Sequence, residues 1–210
     1  MKNIINKVKF VLMDVEGTTT SIDFVHDTLF PFAYEKMESF IKANPELVCS
    51  LENPAATLKQ WIKEDKKEPL LKTIQGLIWK EGYESGELKG HLYDDVPVAF
   101  KRWKQQGLSL GIYSSGSVLA QKLLFTHSKF GDQDEMIEAN FDTKIGHKRE
   151  KQSYTNILND LNLSGDEVLF LSDISEELAA ASESGMHVIQ LIRKDPVKSP
   201  FDQIRSFDEI

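Results

Sequence analysis

Cysteine is nearly missing from the chain: Cys49 is the only one in 210 residues. An internal disulfide and a cysteine-rich zinc site are therefore excluded. A basic excess is missing too, since 33 Asp and Glu outnumber 25 Lys and Arg for a formal net charge of −8. A protein that grips a nucleic-acid backbone needs a basic face, so that class is set aside. A small phosphorylated substrate, held by one lysine and a metal, stays open. No apolar run approaches the ~20 residues of a membrane span. The first residues are interrupted by Lys7, Lys9, Asp14 and Glu16 and do not read as a secretory signal. What remains is an ordinary globular composition, 40% apolar and 28% charged. A cytoplasmic enzyme is expected, without nucleic-acid or membrane partners, and nothing points to more than a monomer.

Short apolar runs recur, and each ends in small or charged residues. Phe10–Met13 runs into Asp14, Leu108–Tyr113 into Ser114-Ser115-Gly116-Ser117, Val168–Leu171 into Ser172-Asp173, and Met186–Ile192 into Arg193. Continuous runs of this length fit strands buried on both faces. Helical patterns separate them: Pro97–Gln106 before Gly107, Val118–Phe125, Ser153–Asn162, and Ser175–Ser184 before Gly185, with Ser175 expected as a cap. The alternation predicts an α/β fold with a doubly wound, mainly parallel sheet.

Residues 22–92 contain no convincing strand. Three apolar faces at helical spacing stand there instead: Phe32, Met37, Phe40 and Ile41; then Leu58, Trp61 and Ile62; then Leu70, Leu71, Ile74, Leu77 and Ile78. They predict an all-helical cap inserted in a core made of residues 1–21 and 93–210. Ser21–Phe30 and the glycines of Glu81–Gly90 are the expected hinge and return linker.

Asp14-Val15-Glu16-Gly17-Thr18-Thr19-Thr20 carries the most chemistry. Carboxylates two apart at a strand end point to the same side, where open α/β sheets bind ligands. Such a pair is costly unless a cation or a shared proton relieves it, and Mg²⁺ takes one or two carboxylates plus phosphate oxygens. The plainer reading is a polar strand end opening a Thr-rich turn. Ser114–Ser117 opens a helix and can bind an anion or simply cap it. Asp173 and Glu177 can likewise be metal-site acids or complements of a helix dipole. Among Lys144, Lys148, Arg149 and Lys151, physics alone does not choose one to neutralise a phosphate.

These parts and their order resemble the haloacid-dehalogenase-like superfamily. The longer stretches Asp14–Thr20, Tyr113–Ser117 with Gln121–Phe125, Phe141–Lys148 and Leu169–Asp173 resemble its acireductone synthases, the enolase-phosphatases of methionine salvage. The resemblance implies conversion of 2,3-diketo-5-methylthiopentyl-1-phosphate to acireductone and phosphate with Mg²⁺. It implies Asp14 as nucleophile and metal ligand, and Glu16 as metal-site acid and proton shuttle. Ser114, Ser115 and Lys148 become substrate-binding residues and Asp173 the late Mg²⁺ ligand. Rival readings are a phosphatase for another small ester, a halide-removing relative, and a phospho-accepting signalling module. Glu16 beside Asp14, Asp173 and the helical insertion speak against the last two.

Overall fold

The computed structural model describes residues 4–66, 68–194 and 198–210. Six strands lie side by side: β1 (Phe10–Met13), β2 (Ser109–Tyr113), β3 (Ala139–Phe141), β4 (Val168–Ser172), β5 (His187–Leu191) and β6 (Gln203–Ile204). Their order is β3-β2-β1-β4-β5-β6, and every neighbouring pair is parallel. β1 is fully buried because it is covered on both faces, which accounts for its unbroken apolar run. Val11 and Met13 enter one core with Val96, Ala99, Phe100 and Trp103 of helix α5 (Asp95–Gln105). Phe10 and Leu12 enter the opposite core, with Tyr154 and Ile157 of α7 (Lys151–Leu161) and Leu178 and Ala181 of α8 (Ser175–Glu183). The split follows the two-residue period of a strand.

From β1 the chain moves first to β2 and β3 on one side, then crosses to β4 and β5 on the other. The direction reverses between β1 and β4, where doubly wound sheets place their ligands. Met13 pairs with both Ile112 and Leu171, so the residues that follow three strands emerge at one level.

Between β1 and β2 lies the helical cap. Ser21 caps α1 (Ile22–Phe24), accepting from the Asp23 N–H, and one wider turn, Val25–Leu29, leads into α2 (Phe30–Ala43). α3 (Pro54–Lys63) and α4 (Pro69–Glu84) complete it, each with proline in its first turn. Ala33, Met37, Phe40, Leu58, Ile62, Leu71, Ile74 and Ile78 form a core separate from those of the sheet.

Two strands escape the sequence pattern, and two local expectations need correction. β3 and β6 lack the long apolar run of the other strands; three and two residues at a sheet flank leave little pattern. Ser175 is the first helical residue, with Ile174 at the cap position and no side-chain cap bond. α4 continues through Gly82 to Glu84, so the return segment is shorter than Glu81–Gly90. Gly82 and Gly90 serve close approach, since a Cβ on Gly82 would lie 2.5 Å from the Phe32 ring and one on Gly90 2.1 Å from the Leu124 carbonyl oxygen, whereas Gly86 turns the chain at φ +79° with open space beside it. Gly90 is also tied by backbone bonds to His127 and Lys129.

Candidate active site

The segment after β1 folds into a tight knot. The Val15 carbonyl accepts from the N–H groups of Thr18, Thr19 and Thr20, and Gly17 N–H donates to the Thr20 carbonyl. Gly17 holds φ +82°, and a Cβ there would sit 2.3 Å from Asp173 Oδ2. Thr18 joins the two strand ends: its hydroxyl donates to Asp14 Oδ2 at 3.3 Å and accepts the Asp173 N–H at 3.1 Å. Arg193, just beyond β5, braces the knot from behind. Its guanidinium donates twice to the Thr18 carbonyl, at 3.0 and 2.8 Å, and pairs with Asp95 at 2.7 Å.

Asp14 is 3% exposed. The Lys148 ammonium, itself buried, meets Asp14 Oδ1 and lies 2.7 Å from Glu177 Oε2. Tyr154 fixes the lysine's loop by donating to its backbone carbonyl at 2.7 Å. Glu177 also accepts from the Ser172 hydroxyl at 3.0 Å, so its partners are the lysine and β4. Lys144, Arg149 and Lys151 are exposed, which separates Lys148 from its basic neighbours.

The serine turn stands opposite. Ser114 is buried, donates to Glu16 Oε2 at 3.2 Å and accepts the Gly116 N–H at 3.0 Å. Ser115 is exposed on the cavity wall. Ser117 caps α6 (Val118–Thr126), accepting from the Ala120 N–H. Two residues absent from the sequence-based site hold this turn. Gln121 donates to the carbonyls of Gly116 and Phe141, and Asp142 accepts the N–H groups of Val118 and Lys144. Gln121 and Asp142 fell inside the family-like stretches, but no chemical pattern singled them out.

The carboxylates crowd one another. Burial first, and then the charge of Asp14, raises the pKa of Glu16. The same two causes push Asp173 and Glu177 each up to about 7, with Lys148 opposing. Burial alone would lower the Lys148 pKa, but Asp14 and Glu177 outweigh it and hold the ammonium charged. Four acids around one lysine leave an excess of negative charge that favours a cation.

Among the described residues, no group of three or more acids, histidines or cysteines is gathered to hold a metal ion. Glu16 is turned to Ser114, while Lys148 occupies one face of Asp14. The donor set still fits Mg²⁺, which needs only one or two carboxylates. Asp173 Oδ1 is buried without a hydrogen-bond partner among the described residues, and its carboxylate lies over Gly17, next to the Asp14 segment.

A cavity of about 420 Å³ opens onto these groups. Asp14, Glu16, Lys148 and Asp173 line its floor, and Phe24, Leu29, Trp61 and Trp79 of the cap give it an apolar roof. One end can take a phosphate and the other an uncharged, apolar tail.

The fold and the aspartate-based floor define a hydrolase of the haloacid dehalogenase-like class, whose family profile matches residues 8–185. The chain belongs to that family and, within it, to the enolase-phosphatase E1 proteins. It is 46% identical to Enolase-phosphatase E1 of Sulfurihydrogenibium sp. (strain YO3AOP1), covering 97% of each chain. It is also 46% identical to Enolase-phosphatase E1 of Cronobacter sakazakii, over 97% of this chain and 96% of the other. Among solved structures it is similar to the UTR4 protein of Saccharomyces cerevisiae, with TM-score 0.86, 33% identity, and 97% and 100% of the two chains covered. CbbY from Rhodobacter sphaeroides, solved with phosphate, shares the fold at TM-score 0.65 and 15% identity, over 96% of each chain.

Proposed function

We propose that the chain is an Mg²⁺-dependent enolase-phosphatase, converting 2,3-diketo-5-methylthiopentyl-1-phosphate to acireductone and phosphate in methionine salvage. The observation that carries this reading is the buried Asp14 carboxylate, set at the sheet's switch point between Thr18 and Lys148 and facing a two-ended cavity. The kinship with the enolase-phosphatase E1 proteins supports the substrate.

Asp14 is the nucleophile. One carboxylate oxygen attacks phosphorus, the ester oxygen leaves with its electron pair, and an aspartyl-phosphate forms. The Thr18 hydroxyl and the Lys148 ammonium hold Asp14 in one orientation, and fixed positioning is most of what phosphoryl transfer asks of a protein. Lys148, Ser114 and Ser115 bind the non-bridging phosphate oxygens. Water then attacks the aspartyl-phosphate, and Glu16 takes its proton; burial and the Asp14 charge raise the Glu16 pKa, which makes it a better proton acceptor than an ordinary carboxylate. We also assign to Glu16 the carbon-bound proton removed in enolisation. Asp14 and Asp173, with Glu16 beside them, would hold Mg²⁺, which when bound would screen charge between the Asp14 carboxylate and the phosphate and would favour an enolate oxygen.

Residues 22–92 act as a lid that excludes bulk water from the enediol and the aspartyl-phosphate. Phe24, Leu29 and Trp79 receive the methylthio tail. The enzyme is read as a cytoplasmic monomer. Its one cysteine is exposed and unpaired, and large exposed apolar side chains such as Val98 and Phe130 are scattered. Among the described residues no helix is long and apolar enough to cross a membrane.

The test is to incubate the purified protein with the diketo phosphate and Mg²⁺, following enol absorbance and phosphate release together. Both signals are expected, and Asp14→Asn should abolish phosphate release in a folded protein. Phosphate from simple esters without any enol signal would reduce the enzyme to a phosphatase of another substrate. Turnover by Asp14→Asn would remove the nucleophile assignment.

A further inference from the structure

Gln75 stands apart from the other buried glutamines. It lies on the cap helix α4, is 5% exposed and lines the cavity. Among the described residues its side-chain amide makes no hydrogen bond. By contrast the amide nitrogens of Gln121, Gln133 and Gln190, also buried, all donate to protein oxygens at 2.7 to 3.3 Å, although Gln133 Oε1 accepts no bond among the described residues. Its amide opens on the cavity rather than onto packed protein, and an unsatisfied polar group there is placed to meet a ligand.

Its neighbours along α4 say which part of a ligand it would meet. Three residues earlier, on the same helix face, Lys72 donates to the Ser115 carbonyl at 3.3 Å, which sets that turn of the cap on the serine loop. Four residues later, Trp79 donates to the Leu29 carbonyl at 2.8 Å and lines the apolar end. Gln75 therefore sits between the anion end and the apolar end. The proposed substrate has the same order: a phosphate, then two adjacent carbonyls, then a methylthio tail.

We infer that the Gln75 amide is the specificity-determining group that binds the substrate's carbonyl and enol oxygens. The inference rests on the enolase-phosphatase reading above. An amide suits both stages, since its NH₂ donates to a ketone oxygen and its carbonyl accepts from the enol hydroxyl formed later. A carboxylate could do only the second, and an apolar side chain neither.

Gln75→Met keeps the length and volume and removes both hydrogen-bonding functions; Gln75→Glu keeps the acceptor alone. The measurement is kcat/KM on the diketo phosphate and on pentyl phosphate, which has the phosphate and a chain but no carbonyls, together with the melting temperature. The ratio of the two kcat/KM values is expected to fall at least tenfold in Gln75→Met, and also to fall in Gln75→Glu. Melting of Gln75→Met is expected to match or exceed that of the parent, because an unpaired amide has gone. An unchanged ratio, or an equal loss on both substrates with a lower melting temperature, would make Gln75 a packing residue and overturn the inference. Parent enzyme that hydrolyses pentyl phosphate but ignores the diketo phosphate would overturn the function itself, and with it the role of Gln75. The parent's own two rates thus separate that failure from a failure at Gln75 alone.

Discussion

Gly17 leaves open the space that the Asp173 carboxylate fills: a Cβ on Gly17 would lie 2.3 Å from Asp173 Oδ2, and the backbone there has φ +82°. The missing side chain thus lets two strand ends approach each other. Gly17→Ala forces the carboxylate aside and strains the turn. It is expected to cost ~1–3 kcal/mol in denaturant unfolding. It should also lower phosphate release about 100-fold, as misplacement of a reacting group does. Ordinary activity in Gly17→Ala would show that the close packing of Asp173 is dispensable.

Lys148 is the counter-charge of two buried acids, Asp14 and Glu177. Lys148→Met leaves both without it, a change that costs ~3–5 kcal/mol for a buried pair. The loss should depend on pH. Glu177 titrates near 7 with the lysine present, and removing the lysine raises it further. At pH 5 Glu177 is then neutral and needs no partner. Unfolding of Lys148→Met and the parent at pH 5 and pH 8 is expected to differ less at the lower pH; an equal difference at both would contradict the charge argument.

Much of this arrangement could be read from residue order. β1, β2, β4 and β5 are long apolar runs that stop abruptly, so Asp14, Ser114 and Asp173 fall at strand ends by sequence pattern alone. Glu177 is ambiguous in the sequence because a first-turn acid complements a helix dipole wherever it points; its contacts with Lys148 and the Ser172 hydroxyl assign it to the site. Gly82 and Gly90 looked flexible because glycine marks turns and close approaches alike. Gln75 carried no signal at all, since one polar residue in an apolar helix face has no motif. The expectation that Asp14, Glu16 and Asp173 hold one ion stands as part of the proposed function, with Glu16 also accepting from the Ser114 hydroxyl.

Acid crowding also sets how metal-free protein responds to pH. Asp173 and Glu177 both titrate near 7 when folded, well above ordinary carboxylates near 4. Between those values the folded state binds more protons than the unfolded state, so stability falls as pH rises. Protein melted in EDTA should therefore lose stability from pH 5 to pH 8. Adding Mg²⁺ should restore more at pH 8 than at pH 5, because the cation competes with protons for the same oxygens. A flat or rising profile in EDTA would mean that burial and the Asp14 charge do not raise Asp173 and Glu177 in the folded protein.

Arg193 lies outside the cavity, and its effect on chemistry would run through one carbonyl. Its guanidinium donates through two nitrogens to the Thr18 backbone oxygen and through a third to Asp95, both side chains of that ion pair being under 10% exposed. The Thr18 hydroxyl in turn contacts Asp14. Arg193→Lys keeps the charge but not the planar fork, so it can satisfy Asp95 or Thr18 and not both. It is expected to cost ~1–3 kcal/mol of stability through the unpaired carbonyl. The loosened knot should lower kcat more than it raises KM, since the proposed mechanism gives phosphate binding to Lys148 and the serines and leaves Thr18 to orient Asp14. A rise in KM with kcat unchanged would place Arg193 in substrate binding instead and break the proposed link through Thr18.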